Sequence, residues 1–265
     1  MTHNQHSIHP TAIVSNEAEI GENVTIGAYA IVEGNSVIGD DTFIHPHAII
    51  RSGARIGKHC QIHPFSVIAG IPQDLKFHGE DTLAIIGDNT IIREYATINR
   101  GTASKGKTVI GKDCLIMSYS HIAHDCLLKD HIIIGNLTQL AGEVEVDEYA
   151  NVSGGTLVHQ FVRISKHVMV QGGSKISQDI PPYILVGRDP LIYCGLNVVG
   201  LRRRHFTSEQ INTINEAYRI LYLQGLNTSN AIATIQSACA QTPEIESITS
   251  FIQESQRGIV KGSMA

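Results

Sequence analysis

A branched aliphatic residue returns at nearly every sixth position from Ile8 to Ile176, a period that neither an amphipathic helix nor a single long strand produces. The series runs from Ile8 through Ile68, resumes at Ile86, Ile92 and Ile98, and is unbroken from Ile110 to Ile176. Of its 29 slots, 26 hold Ile, Val or Leu, the exceptions being Asp74, Glu80 and Ser104. Glycine often follows the aliphatic residue (Gly21, Gly27, Gly39, Gly57, Gly111), and a small residue often sits four places after it (Ala30, Ala48, Ser66, Ala96, Ser120). Period six with tight-turn glycines describes short strands joined by sharp corners. Three hexads close a triangular coil, and successive coils stack at the ordinary strand separation of about 4.8 Å. Each coil buries its aliphatic slots only against its neighbours, so the fold is a parallel β-helix.

The repeat lapses over 69–85 and 99–109 and returns in phase each time, which reads as two loops leaving the wall. Degenerate coils with polar corners are the alternative. After residue 180 the period is lost, and Pro181, Pro182, Gly187, Pro190, Gly195 and Gly200 mark an irregular connector. Thr207-Ser208-Glu209-Gln210 has the form of a capping box ahead of Ile211, Ile214, Ala217, Tyr218 and Leu221, with Gly225 as the stop. Further helices are expected over 229–240 and 242–257. The division is therefore 1–190, β-helix with two loops, and 191–265, a helical domain that covers the last coil.

Composition narrows the function classes. The formal charge is −5 and no basic stripe dominates the chain, which argues against a general nucleic-acid binder. Five widely spaced cysteines with no C-x-x-C pair fit a reducing compartment. The polar start, Met1 to His6, lacks the apolar run of a signal peptide, and no apolar stretch approaches the length of a membrane span. The expectation is a cytoplasmic protein.

A coil of eighteen residues also turns the sequence into a map. His124 stacks with Gly142 and Gln160, and Asp125 with Glu143 and Phe161, while His121 and His159 lie close by. An imidazole titrates near neutrality and a neighbouring carboxylate stabilises its cation, which is what general-base catalysis needs. The bland reading is a polar surface patch, since the chain has 14 His.

The segment Ser120-His121-Ile122-Ala123-His124-Asp125-Cys126 resembles the catalytic segment of the UDP-N-acetylglucosamine O-acyltransferases, a family of hexapeptide-repeat transferases. The resemblance covers essentially the whole chain. It includes Gln73-Asp74-Leu75-Lys76, Ile98-Asn99-Arg100-Gly101-Thr102, Val158-His159-Gln160-Phe161, Asp179-Ile180-Pro181-Pro182-Tyr183 and the run from Gly195 to Arg203. It implies a left-handed β-helix with a C-terminal α-helical domain, working as a homotrimer with active sites between adjacent β-helices. It also implies transfer of an (R)-3-hydroxyacyl chain from acyl carrier protein to the 3-hydroxyl of UDP-N-acetylglucosamine, the first step of lipid A biosynthesis, with no metal and no dissociable cofactor.

Carried over residue by residue, the resemblance makes His124 the general base, Asp125 its orienting carboxylate and the Gly142 N–H the oxyanion donor. Gln73, Asp74 and Lys76 match the loop that contacts the acylated substrate, and His121, His159 and Gln160 match sugar and phosphate contacts. Asn197 and Arg203 match donor or nucleotide contacts. The run Arg202-Arg203-Arg204-His205 reads as a docking site for the acidic carrier protein rather than a solvated cluster. Gly172 matches a position lining the acyl groove, where the missing side chain leaves room for a long chain. Glu143 departs from the family, many of whose members have His there to contact the nucleotide sugar; a carboxylate would favour a 3-amino sugar analogue as acceptor.

Three other readings differ in what they require. The related N-acyltransferases begin with a separate uridine-binding domain, for which hexads starting at Ile8 leave no space. A metal-dependent hydratase on this scaffold needs three converging histidines, and positions 139 and 142 are Gln and Gly. A purely structural solenoid leaves His124-Asp125 and the loops without a role.

Overall fold

The computed structural model describes residues 7–262; the polar start at 1–6 and the last three residues, 263–265, lie outside the described residues. Short strands, most of two residues, form three parallel sheets that are the faces of a left-handed parallel β-helix. The register is the one the repeat requires. Ser7 pairs with Thr25 on the first face, Ile13 with Ile31 on the second and Glu19 with Val37 on the third, each eighteen residues apart. The second residue of nearly every two-residue strand is the aliphatic slot, and Ile44, Ile50, Ile62 and Ile68 are fully buried there. The small residues two places before a slot, such as Ala48, Ser66 and Ala96, are also buried, because the corner has room for little more than a methyl or hydroxyl group.

The glycines serve a purpose other than the turn. The left-handed corner residue lies two places beyond them and is usually Asn, Asp, His or Tyr, as at Asn23, Tyr29, Asp41 and His59. A Cβ on Gly39 would instead stand 2.6 Å from the carbonyl carbon of Gly57 in the next coil. Close approach between coils, rather than backbone freedom, therefore demands glycine there.

Both interruptions leave the wall as loops. Gln61 pairs with Ile91 and Thr97 with His121, so the register lengthens to thirty and then twenty-four residues before returning to eighteen. The excursions occupy 71–82 and 100–106, narrower than the lapses in the repeat, because the flanking strands Val67–Gly70, Leu83–Ile86 and Lys107–Ile110 extend into them. Asp74, Glu80 and Ser104 lie in these loops.

The connector after residue 180 is more regular than its prolines and glycines led us to expect. Ile184–Gly187 adds one more parallel strand to the first face, and Ile192–Leu196 returns antiparallel beside it. A six-residue helix, α1 (Val198–Arg203), follows, capped by the Asn197 side chain. α2 (Ser208–Leu223) begins with the full capping box of Thr207 and Gln210. α3 (Thr228–Ala238) and α4 (Pro243–Glu254) complete the helical part. α4 stops short of residue 257 because the chain turns to lie along the solenoid: Ser255 Oγ donates to Asp179 Oδ2 at 2.7 Å, and Ile259 bridges to Asp179. The buried Tyr218 hydroxyl donates to Pro182 O at 2.6 Å, so the helices seal the end of the β-helix core.

Candidate active site

Asp125 sits at a corner with φ +62°, the position that Glu143 (+59°) and Phe161 (+67°) occupy in the next two coils. That backbone brings the side chain of Asp125 back beside its neighbour, and His124 Nδ1 lies 2.8 Å from Asp125 Oδ2. Asp125 is 1% exposed, so its charge is stabilised by protein groups rather than water. Its Oδ1 accepts from the backbone N–H of Thr102 at 2.9 Å and of Lys105 at 3.3 Å, and Oδ2 also accepts from Thr102 Oγ1 at 2.6 Å. The Asp125 N–H itself donates to Thr108 Oγ1 at 2.8 Å. A carboxylate in this setting accepts and does not donate, so the His124 proton rests on Nδ1. Nε2 is left with a free lone pair at the cleft, and a carboxylate oxygen of Asp74 stands 3.9 Å from it.

The coil map holds at Gly142. A Cβ there would stand 2.5 Å from His124 Cε1 and 2.7 Å from Nε2, so the ring occupies the space a side chain would fill. The Gly142 N–H has no acceptor among the described residues, while its neighbour Glu143 N donates to His124 O at 3.0 Å. A lone-pair base and a free backbone donor thus adjoin one another, the combination required to deprotonate a nucleophile and receive an oxyanion. Gly142→Ala is expected to displace the imidazole and lower turnover by about a hundredfold, the usual cost of a shift near 1 Å in a reacting group. Adding His124→Ala should restore the melting temperature lost in Gly142→Ala, since the clash is with the ring alone; an unrestored double variant would contradict this.

The cleft over this corner has a volume of about 680 Å³ and runs down the second face. Its floor is apolar (Ala123, Leu140, Ala141, Leu157, Val158), and Gln73, His121, His124, His159 and Gln160 supply polar groups at its edges. Burial, and then the neighbouring His124, hold His121 below the ordinary imidazole range, and its Nδ1 lies 2.7 Å from Thr97 Oγ1. His159 Nδ1 donates to the carbonyl oxygen of Gln160 at 3.0 Å, leaving a second Nε2 free. Cys126 is no competing nucleophile, because burial pushes its thiol up to about 12. Among the described residues no group of three or more His, Cys, Asp or Glu could hold a metal ion.

Not every residue expected at the site is brought to this cleft. Asp74 reaches His124, but the exposed Lys76 contributes only its backbone N–H to Asp74 Oδ1, at 2.9 Å. Glu143 points to the other side of the corner, where its carboxylate accepts from Ser104 Oγ at 3.2 Å. It lines a separate, charged depression with Lys105, Glu145 and Arg163. Gly172 is exposed at the opposite edge of the second face, 3.1 Å (from a built Cβ) below the Gly154 carbonyl. Asn197 and Arg203 line a hollow of about 460 Å³ on the first face. There the Asn197 amide is engaged at both ends, donating to His167 O at 2.9 Å and accepting from Gly200 N at 3.1 Å. Arg204, beside it, stacks on Tyr149 with its guanidinium carbon 4.2 Å from the ring centroid. The groups absent from the sequence reading are Thr102, Lys105 and Thr108, all of which serve Asp125; only the Gly101-Thr102 end of a quoted motif hinted at them.

Comparison with known proteins adds to this geometry. The family model described as Udp N-acetylglucosamine O-acyltransferase, domain 2, matches residues 179–260, and the bacterial transferase hexapeptide model matches 35–70 and 107–142. The acyl-[acyl-carrier-protein]–UDP-N-acetylglucosamine O-acyltransferase of Chlorobaculum parvum is 55% identical over 95% of this chain and 96% of its own length. The enzyme of the same name from Chlorobaculum tepidum is 57% identical over 92% of this chain and 93% of its own. The crystal structure of the UDP-N-acetylglucosamine acyltransferase of Bacteroides fragilis superposes with a TM-score of 0.95 at 49% identity, covering 96% of this chain and 99% of that one.

Proposed function

The chain belongs to the UDP-N-acetylglucosamine O-acyltransferase family, and from that premise we propose how its own residues carry out the transfer from acyl carrier protein to UDP-N-acetylglucosamine that opens lipid A biosynthesis. The single observation that carries the proposal is the imidazole of His124, locked by Asp125 with Nε2 bare to the cleft and pressed against Gly142. Nε2 takes the proton of the sugar 3-hydroxyl as the oxygen attacks the thioester carbon of an (R)-3-hydroxyacyl chain. The Gly142 N–H receives the oxyanion of the tetrahedral intermediate. As the intermediate collapses, the C–S bond breaks and the His124 imidazolium returns its proton to the departing carrier thiolate. Asp125 stabilises that imidazolium throughout without taking the proton.

His121, His159, Gln160 and Gln73 border the same cleft and are proposed to hold the sugar and its diphosphate. Asn197 and Arg203 lie on another face of the prism, so on one chain they cannot share a ligand with His124. We propose a homotrimer in which the first face of one β-helix meets the second face of the next, uniting the two hollows. Arg202, Arg203 and Arg204 are exposed at its rim and offer an acidic carrier protein a cationic landing site. Gly172 and the glycines stacked with it keep the far edge of the second face bare, which suits a long acyl chain. All five cysteines are free thiols and no helix of the described residues is long and apolar enough to cross a membrane. A cytoplasmic site of action fits both.

Glu143 bears on the acceptor. Because its carboxylate is turned beneath the 100–106 loop and tied to Ser104, it does not face the cleft in which the sugar is placed. That favours the 3-hydroxyl of UDP-N-acetylglucosamine over a 3-amino analogue. The test is acyl transfer from (R)-3-hydroxyacyl carrier proteins of several chain lengths to both acceptors, with the acylated position read by NMR. The proposal expects an ester at O3 and a long-chain optimum. No transfer to the 3-hydroxyl sugar, or a clear preference for the amine, would overturn it.

A further inference from the structure

The second lapse of the repeat serves the corner at Asp125. The loop 100–106 folds back over the corner at Asp125 and supplies three of the four hydrogen bonds its carboxylate accepts. Two come from Thr102, which is itself 8% exposed. The direction of the Thr102 hydroxyl is fixed, because Ser104 N donates to Oγ1 at 3.2 Å and its only proton therefore goes to Asp125 Oδ2. That oxygen is the one that holds His124 Nδ1. Two outer ties pin the loop, Ser104 Oγ to Glu143 at 3.2 Å and Lys105 Nζ to Glu145 at 3.2 Å.

We propose that Thr102 is a positioning residue for the acyl transfer: with its hydroxyl and its N–H it fixes the plane and moderates the charge of Asp125, and through Asp125 sets the orientation and basicity of His124. The inference rests on the reading of His124 as general base. Among the described residues the hydrogen bonds of Thr102 go to Asp125, Ser104 and Gly106 and to no group that lines the cleft, so its route to His124 is through Asp125. Asp74 stands 3.9 Å from Nε2, His121 lies beside the ring and Cys126 is buried behind, while the Lys105 ammonium and the Glu143 and Glu145 carboxylates face the outer side of the loop. Removing the hydroxyl leaves the carboxylate charge less compensated, which favours the imidazolium, and frees Oδ2 to swing.

The test compares Thr102→Val and Thr102→Ser in the full-length enzyme, with His124→Ala alongside. For Thr102→Val we expect kcat lower by about ten- to a hundredfold, the effect of losing one hydrogen bond to a charged group, with KM for the nucleotide sugar nearly unchanged. The acid limb of its pH profile should move to higher pH, and Thr102→Ser should restore both rate and profile. A merely structural hydroxyl would leave the limb in place. An unshifted limb with wild-type kcat, or a loss expressed only in KM, overturns the proposal; Thr102→Ala gives the same reading should the valine variant not fold. If His124→Ala retains wild-type activity the base assignment itself fails, whereas an inactive His124→Ala beside a fully active Thr102→Val removes only the role of Thr102.

Discussion

His124→Ala is expected to lower kcat/KM for acyl transfer by at least about a thousandfold, within the range that a positioned acid–base group contributes. The loss falls mainly on kcat, because the ring meets the reacting hydroxyl in the transition state and the rest of the cleft still binds substrate. The fold should survive. The coil around residue 124 is held by the pairing of Thr97, His121 and Gln139 and by the buried Ile122, none of which involves the imidazole. Asp125 keeps its three donors from the 100–106 loop, so the stability change is on the order of 1 kcal/mol. A variant with unchanged melting temperature and a rate within tenfold of wild type would remove His124 from the chemistry.

Asp125→Asn is expected to be nearly as severe, for a reason the hydrogen bonds dictate. The Oδ1 site faces two backbone N–H groups, of Thr102 and Lys105, so only the amide oxygen of an asparagine can occupy it. Its NH₂ then falls at the Oδ2 site, 2.8 Å from His124 Nδ1 in the native protein. Nδ1 must now accept, the proton moves to Nε2 and the base is lost, while the Thr102 hydroxyl, which donates to Oδ2 in the native protein, has to turn and accept from the amide. A wrong tautomer of this kind costs about 10⁴ in kcat in the serine protease triad, and a loss of about 10³ to 10⁴ is expected here. Asp125→Asn with a normal rate would mean that the carboxylate does not set the tautomer.

The coils were legible in the sequence because each aliphatic slot, from Ile26 to Ile176, must be buried and the period admits no other geometry. The hairpin at 184–196 was not, since a single added rung has no period to betray it and its prolines and glycines read as loop. α1 was missed because six residues offer no helical repeat, and its cap, Asn197, looked like a ligand contact instead. At the site, the eighteen-residue map placed His124 against Gly142 correctly. It could not show that adjacent residues meet, which depends on the left-handed corner at Asp125, nor that the same corner turns Glu143 away from the cleft. Thr102 was invisible to the map because the loop shifts its offset from Asp125 to twenty-three residues.

The base role of His124 depends on where one proton sits. ¹⁵N NMR of the imidazole nitrogens of His124 in the folded enzyme, assigned by difference against His124→Ala, reads its position directly. The structure predicts, for the neutral ring, a protonated Nδ1 bonded to Asp125 and a bare, pyridine-like Nε2. A resident proton on Nε2, with Nδ1 bare, would contradict the base assignment and with it the role given to Asp125.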